Sequence, residues 1–170
     1  ANRRMIMLKA ASKFTRDKQV LKQIYYSRIR CKLEQSAAVW SSSLSQRNIA
    51  DLERVQKAAV RIINGKPYES YTETLKVLGI MRLSERREVI CLKFAKNCLK
   101  VDKLKKMFPK SSTMHNMSKR NFEFYRVNRT MTERYLNSAV PQMQRLLNSY
   151  QEKKIKTLKQ LTMPVNLDLH

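Results

Sequence analysis

The chain has 170 residues, which suits one domain, and it carries a formal charge of +23 from 36 lysines and arginines against 13 acidic residues. Only two glycines and four prolines occur, and this scarcity excludes a turn-rich β sandwich or barrel and predicts an all-α fold. So large a positive charge repels itself unless anions are near, and nucleic-acid phosphate is the leading candidate partner.

Apolar residues nowhere form the run of ~18 that a membrane span needs, and residues 5–11 are too short a segment for a signal peptide. We therefore expect a soluble, intracellular chain without a membrane partner. Three cysteines, Cys31, Cys91 and Cys98, form no CxxC pair, so neither a disulfide framework nor a zinc knuckle is indicated. We expect all three to be small buried residues of helices.

The first strongly periodic stretch begins at Lys18, with Thr15 or Asp17 as the cap of its helix. Its apolar residues are spaced by three and four, as on one helix face: Leu21, Ile24, Tyr25, Ile29 and Leu33. Arg28 is the polar exception on that face. A serine-rich turn over residues 41–45 then leads to a second helix.

This second helix is predicted to start at Ser45 or Asn48 and to end at Gly65. Its buried stripe also follows spacings of three and four: Ile49, Leu52, Val55 or Gln56, Ala59 and Ile63. Three cations share another face: Arg54, Lys57 and Arg61. Across both helices we expect a core that includes Leu33, Val39, Trp40, Leu52 and Val55.

Two more helices are predicted before the chain becomes strongly basic. Ser70 to Glu73 is a capping-box pattern, and Gly79 follows the short helix that it opens. Ser84 begins the next helix. Residues 89–99 are apolar almost all the way round, which is typical of a helix at the centre of a core.

The C-terminal part alternates basic and helical segments. Residues 100–120 indicate a mobile basic connector, and the aromatic and polar alternation over 121–129 favours an extended segment. Ser138 and Pro141 mark the start of a long final helix. The predicted fold is thus a multi-helix bundle with a basic connector and a long C-terminal helix, divided into residues 1–63, 64–108, 109–132 and 133–170.

Five blocks of the chain carry a family pattern. The first contains Tyr25, Ser27, Ile29, Arg30, Leu33, Glu34, Val39 and Trp40. The second contains Ile49, Leu52, Glu53, Val55, Gln56, Ala59 and Arg61. The others contain Ser70, Tyr71, Leu75, Leu78 and Gly79; then Leu83, Glu85, Arg86 and Arg87; then residues 122–129 with Ser138, Pro141, Leu147 and Asn148. In this order, over roughly residues 13–150, they resemble the C-terminal thumb and post-thumb region of reverse transcriptases from non-LTR (LINE-type, jockey-like) retrotransposons.

The resemblance implies that residues 1–63 are thumb-like helices and that residues 64–108 continue the helical core. In that family this region holds template RNA and nascent or target DNA during target-primed reverse transcription, beside the palm and fingers of the same polypeptide. RNA and DNA are therefore the expected partners, in cytoplasm and nucleus, rather than a small-molecule substrate. Gln35 departs from the family, which usually has an aromatic residue at that position.

An alternative function is a helical scaffold or interaction domain that packs on the polymerase or on an oligomer partner. The apolar breadth of residues 89–99 motivates it. In that case, alanine at the cations of the second helix leaves nucleic-acid affinity unchanged, whereas a polar residue at Phe94 unfolds or detaches the domain.

Polymerase chemistry needs paired aspartates that hold two metal ions. The four aspartates are far apart in the sequence: Asp17, Asp51, Asp102 and Asp168. We therefore expect no catalytic residue, metal or cofactor in this chain, whereas the parent polymerase would need Mg²⁺. His115 and His170 lie in the connector and at the terminus, where solvated side chains are expected.

The remaining chemistry is phosphate binding, which cations perform without reading sequence. The candidate ligands are Arg28, Arg30, Lys32, Arg54, Lys57, Arg61, Arg86, Arg87, Lys119, Arg120, Arg126 and Arg129. Arg86 and Arg87 have an alternative role as ion-pair partners of Glu53, Glu85 or Glu88. Tyr25, Tyr26 and Trp40 are candidates for base stacking, although their helical positions favour core packing.

Overall fold

The computed structural model describes residues 2–65, 70–111, 124–127 and 131–162, and these residues form the predicted all-α fold. The chain divides into two compact units, Ala1–Cys91 and Leu92–His170. The predicted division into four segments stays a prediction. No helix in the described ranges is long and apolar enough to cross a membrane.

The first unit is built from short and medium helices that follow one another closely. They are α1 (Asn2–Phe14), α2 (Lys18–Ile24), a π turn (Tyr25–Arg30), α3 (Cys31–Glu34), α4 (Ala37–Trp40), a 3-10 turn (Ser41–Ser43), α5 (Gln46–Asn64), α6 (Tyr71–Leu78) and most of α7 (Leu83–Cys98). The second unit contains the end of α7, then α8 (Asp102–Lys105), α9 (Glu133–Leu136) and α10 (Ala139–Thr162).

Local capping chemistry sets several of these boundaries. Asp17 Oδ1 accepts from the Gln19 amide at 2.8 Å, and Ser45 Oγ accepts from the Asn48 amide at 3.2 Å, so both predicted caps form. Gly79 ends α6 in the left-handed region at φ +63°, which a residue without Cβ adopts freely.

The predicted capping box at Ser70 is wrong. Its side chain makes no cap hydrogen bond; instead its carbonyl accepts from the Thr74 hydroxyl at 2.7 Å. The next helix, α7, begins one residue before the predicted Ser84. The Ser84 amide donates to Glu53 Oε1 at 3.1 Å, so the acceptor comes from α5 rather than from the local sequence.

A π turn joins α2 to α3, and it decides which residues this continuous helical segment buries. Leu21, Tyr25, Ile29 and Leu33 are the buried positions, each four residues after the last. Such a spacing drifts around an α-helix, whose turn is ~3.6 residues, and the wider π turn compensates for the drift. The Cys31 amide accordingly bonds to the Tyr26 carbonyl, five residues back. Arg28, predicted on the apolar face, is exposed instead.

The core of the first unit joins α1, α2, the π turn, α3, α5, α6 and the first residue of α7. Its buried residues are Leu8, Leu21, Tyr25, Ile29, Leu33, Ala59, Val60, Ile63, Leu75, Leu78, Ile80 and Leu83. The prediction was right for Leu33, and Leu52 and Val55 pack against this core as partly buried residues. It was wrong for Val39, which is 64% exposed, because the single turn of α4 points Ala37 and Ala38 inward instead.

The helix α7 was predicted to be central to the core, but only one of its sides is buried. Cys91, Ala95 and Cys98 are buried on one side, but Phe94 is 45% exposed. The cysteine prediction holds for Cys91 and Cys98 and fails for Cys31, which is exposed beside the π turn.

The second unit forms around the start of α10. Met143 and Leu147 are buried there together with two amides, Gln144 and Asn148. An isolated antiparallel bridge pairs Lys110 with Tyr125. The final helix begins at Ala139, directly after the predicted Ser138.

Candidate nucleic-acid interface

A row of cations runs along α5, and we call Arg54, Lys57 and Arg61 the α5 row. All three are exposed, because Gln56, Ala59, Val60 and Ile63 turn the opposite side of the helix into the core. Arg54 Nη1 lies 3.0 Å from Asp51 Oδ1, with the arginine side chain 79% exposed. Such a surface pair contributes little and opens easily, so the guanidinium stays accessible to an anion.

A second basic surface lies on the π turn and α3, and we call Arg28 and Lys32 the π-turn pair. Both side chains are exposed. Lys32 Nζ donates to Gln35 Oε1 at 2.9 Å, a neutral partner that leaves the ammonium charge uncompensated. Arg4 Nη1 donates to the Arg28 carbonyl at 2.6 Å and so adds another cation beside this pair. Sequence reasoning missed Arg4, because α1 is not part of the resemblance.

Arg30 and Arg86 converge on one carboxylate. Glu34 Oε1 lies 3.5 Å from Arg30 Nε and 3.2 Å from Arg86 Nε, so residues from α7 and the π turn meet there. The Arg30 guanidinium also lies 3.8 Å from the centre of the Tyr26 ring, a cation–π contact. Of the alternatives for Arg86, an ion pair forms, although with Glu34 and not with the predicted glutamates. Phosphate binding by either arginine stays a prediction.

Arg87 is the most enclosed of the candidate cations that the structure describes, with 5% of its surface exposed. It lies one helical turn before Cys91, whose Sγ is 3.1 Å from Ser41 Oγ. Burial raises the pKa of the Cys91 thiol, and the hydrogen bond with Ser41, followed by the Arg87 charge, opposes that rise. Among the described residues, no ion pair includes Arg87.

The connector cations are only partly covered by the structure. Arg126 is exposed, and its backbone amide donates to the Pro109 carbonyl at 3.0 Å. Lys119, Arg120 and Arg129 lie outside the described residues, as does His115.

The candidate stacking residues make contacts within the protein. Tyr25 is completely buried, so core packing is confirmed for it. Tyr26 lies beneath Arg30, and Trp40 is half-buried with Nε1 donating to the Gln35 carbonyl at 2.7 Å. None of the three rings is therefore fully exposed for stacking on a base.

Glu53 organises a polar network that the sequence did not reveal. Its carboxylate accepts from the Tyr71 hydroxyl at 2.7 Å and from the Ser84 amide. Burial, then the hydrogen bond to Glu53, raises the pKa of Tyr71. Burial likewise raises the pKa of Tyr25, whose hydroxyl has no hydrogen-bond partner among the described residues.

The geometry defines a class of protein: an all-α, strongly basic chain with two exposed cationic helix surfaces. Comparisons with protein-family models, with curated proteins and with solved structures give no match to this chain.

Proposed function

We propose that this chain binds nucleic acid through its phosphate backbone. The observation that carries the proposal is the exposure of the α5 row and the π-turn pair on a chain of charge +23. Among the described residues, neither Arg28 nor Lys57 belongs to an ion pair, and Arg54 makes only an exposed one. Cations so placed neutralise phosphates and release counterions.

The dimensions of the α5 row fit a phosphate backbone. Arg54 and Arg61 are seven residues apart, or about 10 Å along the helix axis. Double-stranded DNA presents one negative charge per about 1.7 Å of its axis, so several phosphates lie within that length. Such contacts fix a protein on a strand without selecting its sequence.

The biological setting that we propose follows the resemblance in sequence. The chain is the helical C-terminal part of a retrotransposon RNA-directed DNA polymerase, and it holds template RNA and nascent or target DNA. The palm and fingers of the same polypeptide, with their Mg²⁺, supply the chemistry. The protein acts in the cytoplasm and the nucleus.

The direct test is a salt series. Anisotropy of labelled single-stranded RNA, duplex DNA and an RNA–DNA hybrid is measured with the purified chain between about 50 and 200 mM salt. We expect the logarithm of the association constant to fall steeply and linearly with the logarithm of the salt concentration. In Arg54→Ala/Lys57→Ala the slope becomes shallower for each lost phosphate contact, by about 0.9 on duplex DNA and by about 0.7 on a single strand.

The matched control is Lys9→Ala/Lys13→Ala, which removes the same charge from exposed positions of α1. We expect this variant to keep nearly the full slope. Binding that is absent or independent of salt would overturn the proposal, and equal losses in both variants would overturn the role of the α5 row.

A second candidate function is packing against another protein surface, and α1 is the observation that favours it. Its face with Ile6, Met7 and Phe14 is exposed, Phe14 by 91%. A helical scaffold that covers this face agrees with the alternative from the sequence. Ile6→Ser/Phe14→Ser is expected to abolish self-association in sedimentation and to leave RNA affinity intact; an unchanged sedimentation profile counts against oligomer packing.

A further inference from the structure

The second unit contains an open cup that the proposed phosphate contacts do not use. Its volume is about 430 Å³, within the range of small-ligand sites. The residues that line it are Leu99, Asp102, Lys105, Lys106, Phe108, Lys110 and Tyr125. An apolar and aromatic floor thus meets a rim with three lysines.

The cup is built by two buried amides of α10, Gln144 and Asn148. Asn148 Oδ1 accepts from the Tyr125 amide at 2.8 Å, and its Nδ2 donates to the Tyr125 carbonyl at 2.8 Å. One turn earlier, Gln144 Nε2 donates to the Met107 carbonyl at 2.9 Å. Both backbone segments that form the cup are therefore fixed by the same helix.

The backbone bridge sets the chemistry of the rim. Lys110 and Tyr125 are directly opposite in an antiparallel bridge, so their side chains leave on the same face, with Cβ atoms about 5 Å apart. Lys105 and Lys106 lie at the end of α8, and neither makes an ion pair among the described residues. Among the described residues of the lining, Asp102 is the single acidic one beside three lysines, so these residues together carry a net positive charge.

We propose that this cup holds one unstacked nucleotide of a single strand, with its base on the Tyr125 ring and its phosphates on Lys105 and Lys106. A half-buried aromatic ring beside cations is the arrangement by which proteins bind single strands without sequence preference. A duplex cannot enter, because its bases are paired and stacked. The inference rests on the proposed function only in that a nucleic acid supplies the nucleotide.

The test uses the full chain and a single-stranded DNA with 2-aminopurine at its centre, whose fluorescence falls when the base stacks. We expect quenching on binding, and Tyr125→Leu abolishes it and weakens single-strand affinity by about 5- to 150-fold. Tyr125→Phe keeps the ring and keeps the quenching. Blunt duplex affinity changes little in either variant.

Two matched controls separate the cup from general charge and aromaticity. Tyr135→Leu alters an exposed ring outside the cup, and Lys100→Ala/Lys103→Ala removes two exposed lysines that do not line it. Lys105→Ala/Lys106→Ala changes exposed side chains, so it tests the rim without disturbing folding; single-strand affinity falls more than in the Lys100/Lys103 variant.

The outcomes distinguish the two proposals. Salt-dependent binding without quenching, or equal losses in the cup and control variants, overturns the cup and leaves the phosphate contacts standing. Absence of binding to every nucleic acid overturns the proposed function itself. Quenching lost in Tyr125→Leu and kept in Tyr135→Leu supports the cup.

Discussion

Two tyrosine hydroxyls in the first unit have opposite surroundings. Tyr71 donates to the Glu53 carboxylate, whereas the hydroxyl of the fully buried Tyr25 has no partner among the described residues. A buried polar group without a partner costs free energy, but a hydrogen bond to a charged group stabilises the fold by about 1.5–3 kcal/mol. The Tyr71 hydroxyl therefore stabilises the fold, whereas the Tyr25 hydroxyl destabilises it.

The first prediction concerns the removal of each hydroxyl. We expect Tyr71→Phe to lower the free energy of unfolding by about 1–3 kcal/mol, because Glu53 loses a donor. Tyr25→Phe is expected to leave this free energy unchanged or to raise it. Urea denaturation of both variants provides the measurement. A large loss of unfolding free energy in Tyr25→Phe would contradict the absence of a hydrogen-bond partner for the Tyr25 hydroxyl.

The second prediction concerns alkaline pH. Burial raises the pKa of both phenols in the folded state, with the Glu53 bond adding to the rise at Tyr71. Below about pH 10 both states keep the phenolic proton, and above it the unfolded chain loses protons that the folded chain retains. Stability contributed by these protonated phenols is therefore lost as pH rises above about 10.

The comparison variant for this pH dependence is Tyr25→Phe/Tyr71→Phe. Lysine deprotonation affects it and the wild type alike, so the difference between them isolates the two phenols. We expect the wild type to lose stability more steeply above about pH 10 in denaturation series. If the stability of the two proteins falls in parallel with pH, the raised pKa of the two buried phenols is contradicted.

At the scale of elements, the π turn is the feature that organises the first unit. It exposes Arg28 and Lys32 while keeping Leu21, Tyr25, Ile29 and Leu33 in the core. A π turn is equivalent to one extra residue in an α-helix, so it can be removed by a single deletion. Deleting an exposed residue inside it restores buried spacings of four, three and four, which suit a regular α-helix.

The third prediction follows from that spacing. We expect deletion of Ser27, an exposed residue of the π turn, to preserve helical content and a cooperative thermal transition. Deletion of Lys57 from the regular helix α5 rotates Ala59, Val60 and Ile63 by about 100° out of the core and should unfold the first unit. Circular dichroism distinguishes the variants, and equal damage from both deletions would refute this account of the π turn.

At the scale of the whole molecule, net charge opposes folding. A charge of +23 on 170 residues creates self-repulsion, which salt screens and a bound polyanion neutralises. Ligands that bind only the folded state stabilise it further. The isolated chain should therefore be less stable at low salt than in the presence of its partner.

The fourth prediction is a rise of Tm with ionic strength, up to about 1 M salt, where the screening length is only about 3 Å. Lys9→Glu/Lys13→Glu lowers the net charge at exposed positions of α1. We expect this variant to have a higher Tm at low salt and a weaker response to added salt. If the Tm of the wild type is independent of salt, repulsion between like charges does not lower the stability of the fold.

Composition and short-range chemistry were enough to predict the all-α fold and many helix boundaries. Asp17, Ser45 and Gly79 act on amides or carbonyls only a few residues away, so their capping roles are written in the local sequence. The buried spacing of α5 is likewise a local pattern. The amino-acid sequence alone was therefore enough to predict the exposed α5 row.

Long-range contacts decided the rest, because the partner that a charge or amide meets depends on how distant segments pack. Glu34 pairs with Arg86 from 52 residues away, and Glu53 accepts from the Ser84 amide 31 residues away. Asn148 fixes Tyr125 across 23 residues, which creates the cup. The sequence established that this protein is helical and basic and that the α5 row is exposed, whereas packing determined that Arg30 and Arg86 meet at Glu34 and that Tyr125 lines a cup together with lysines.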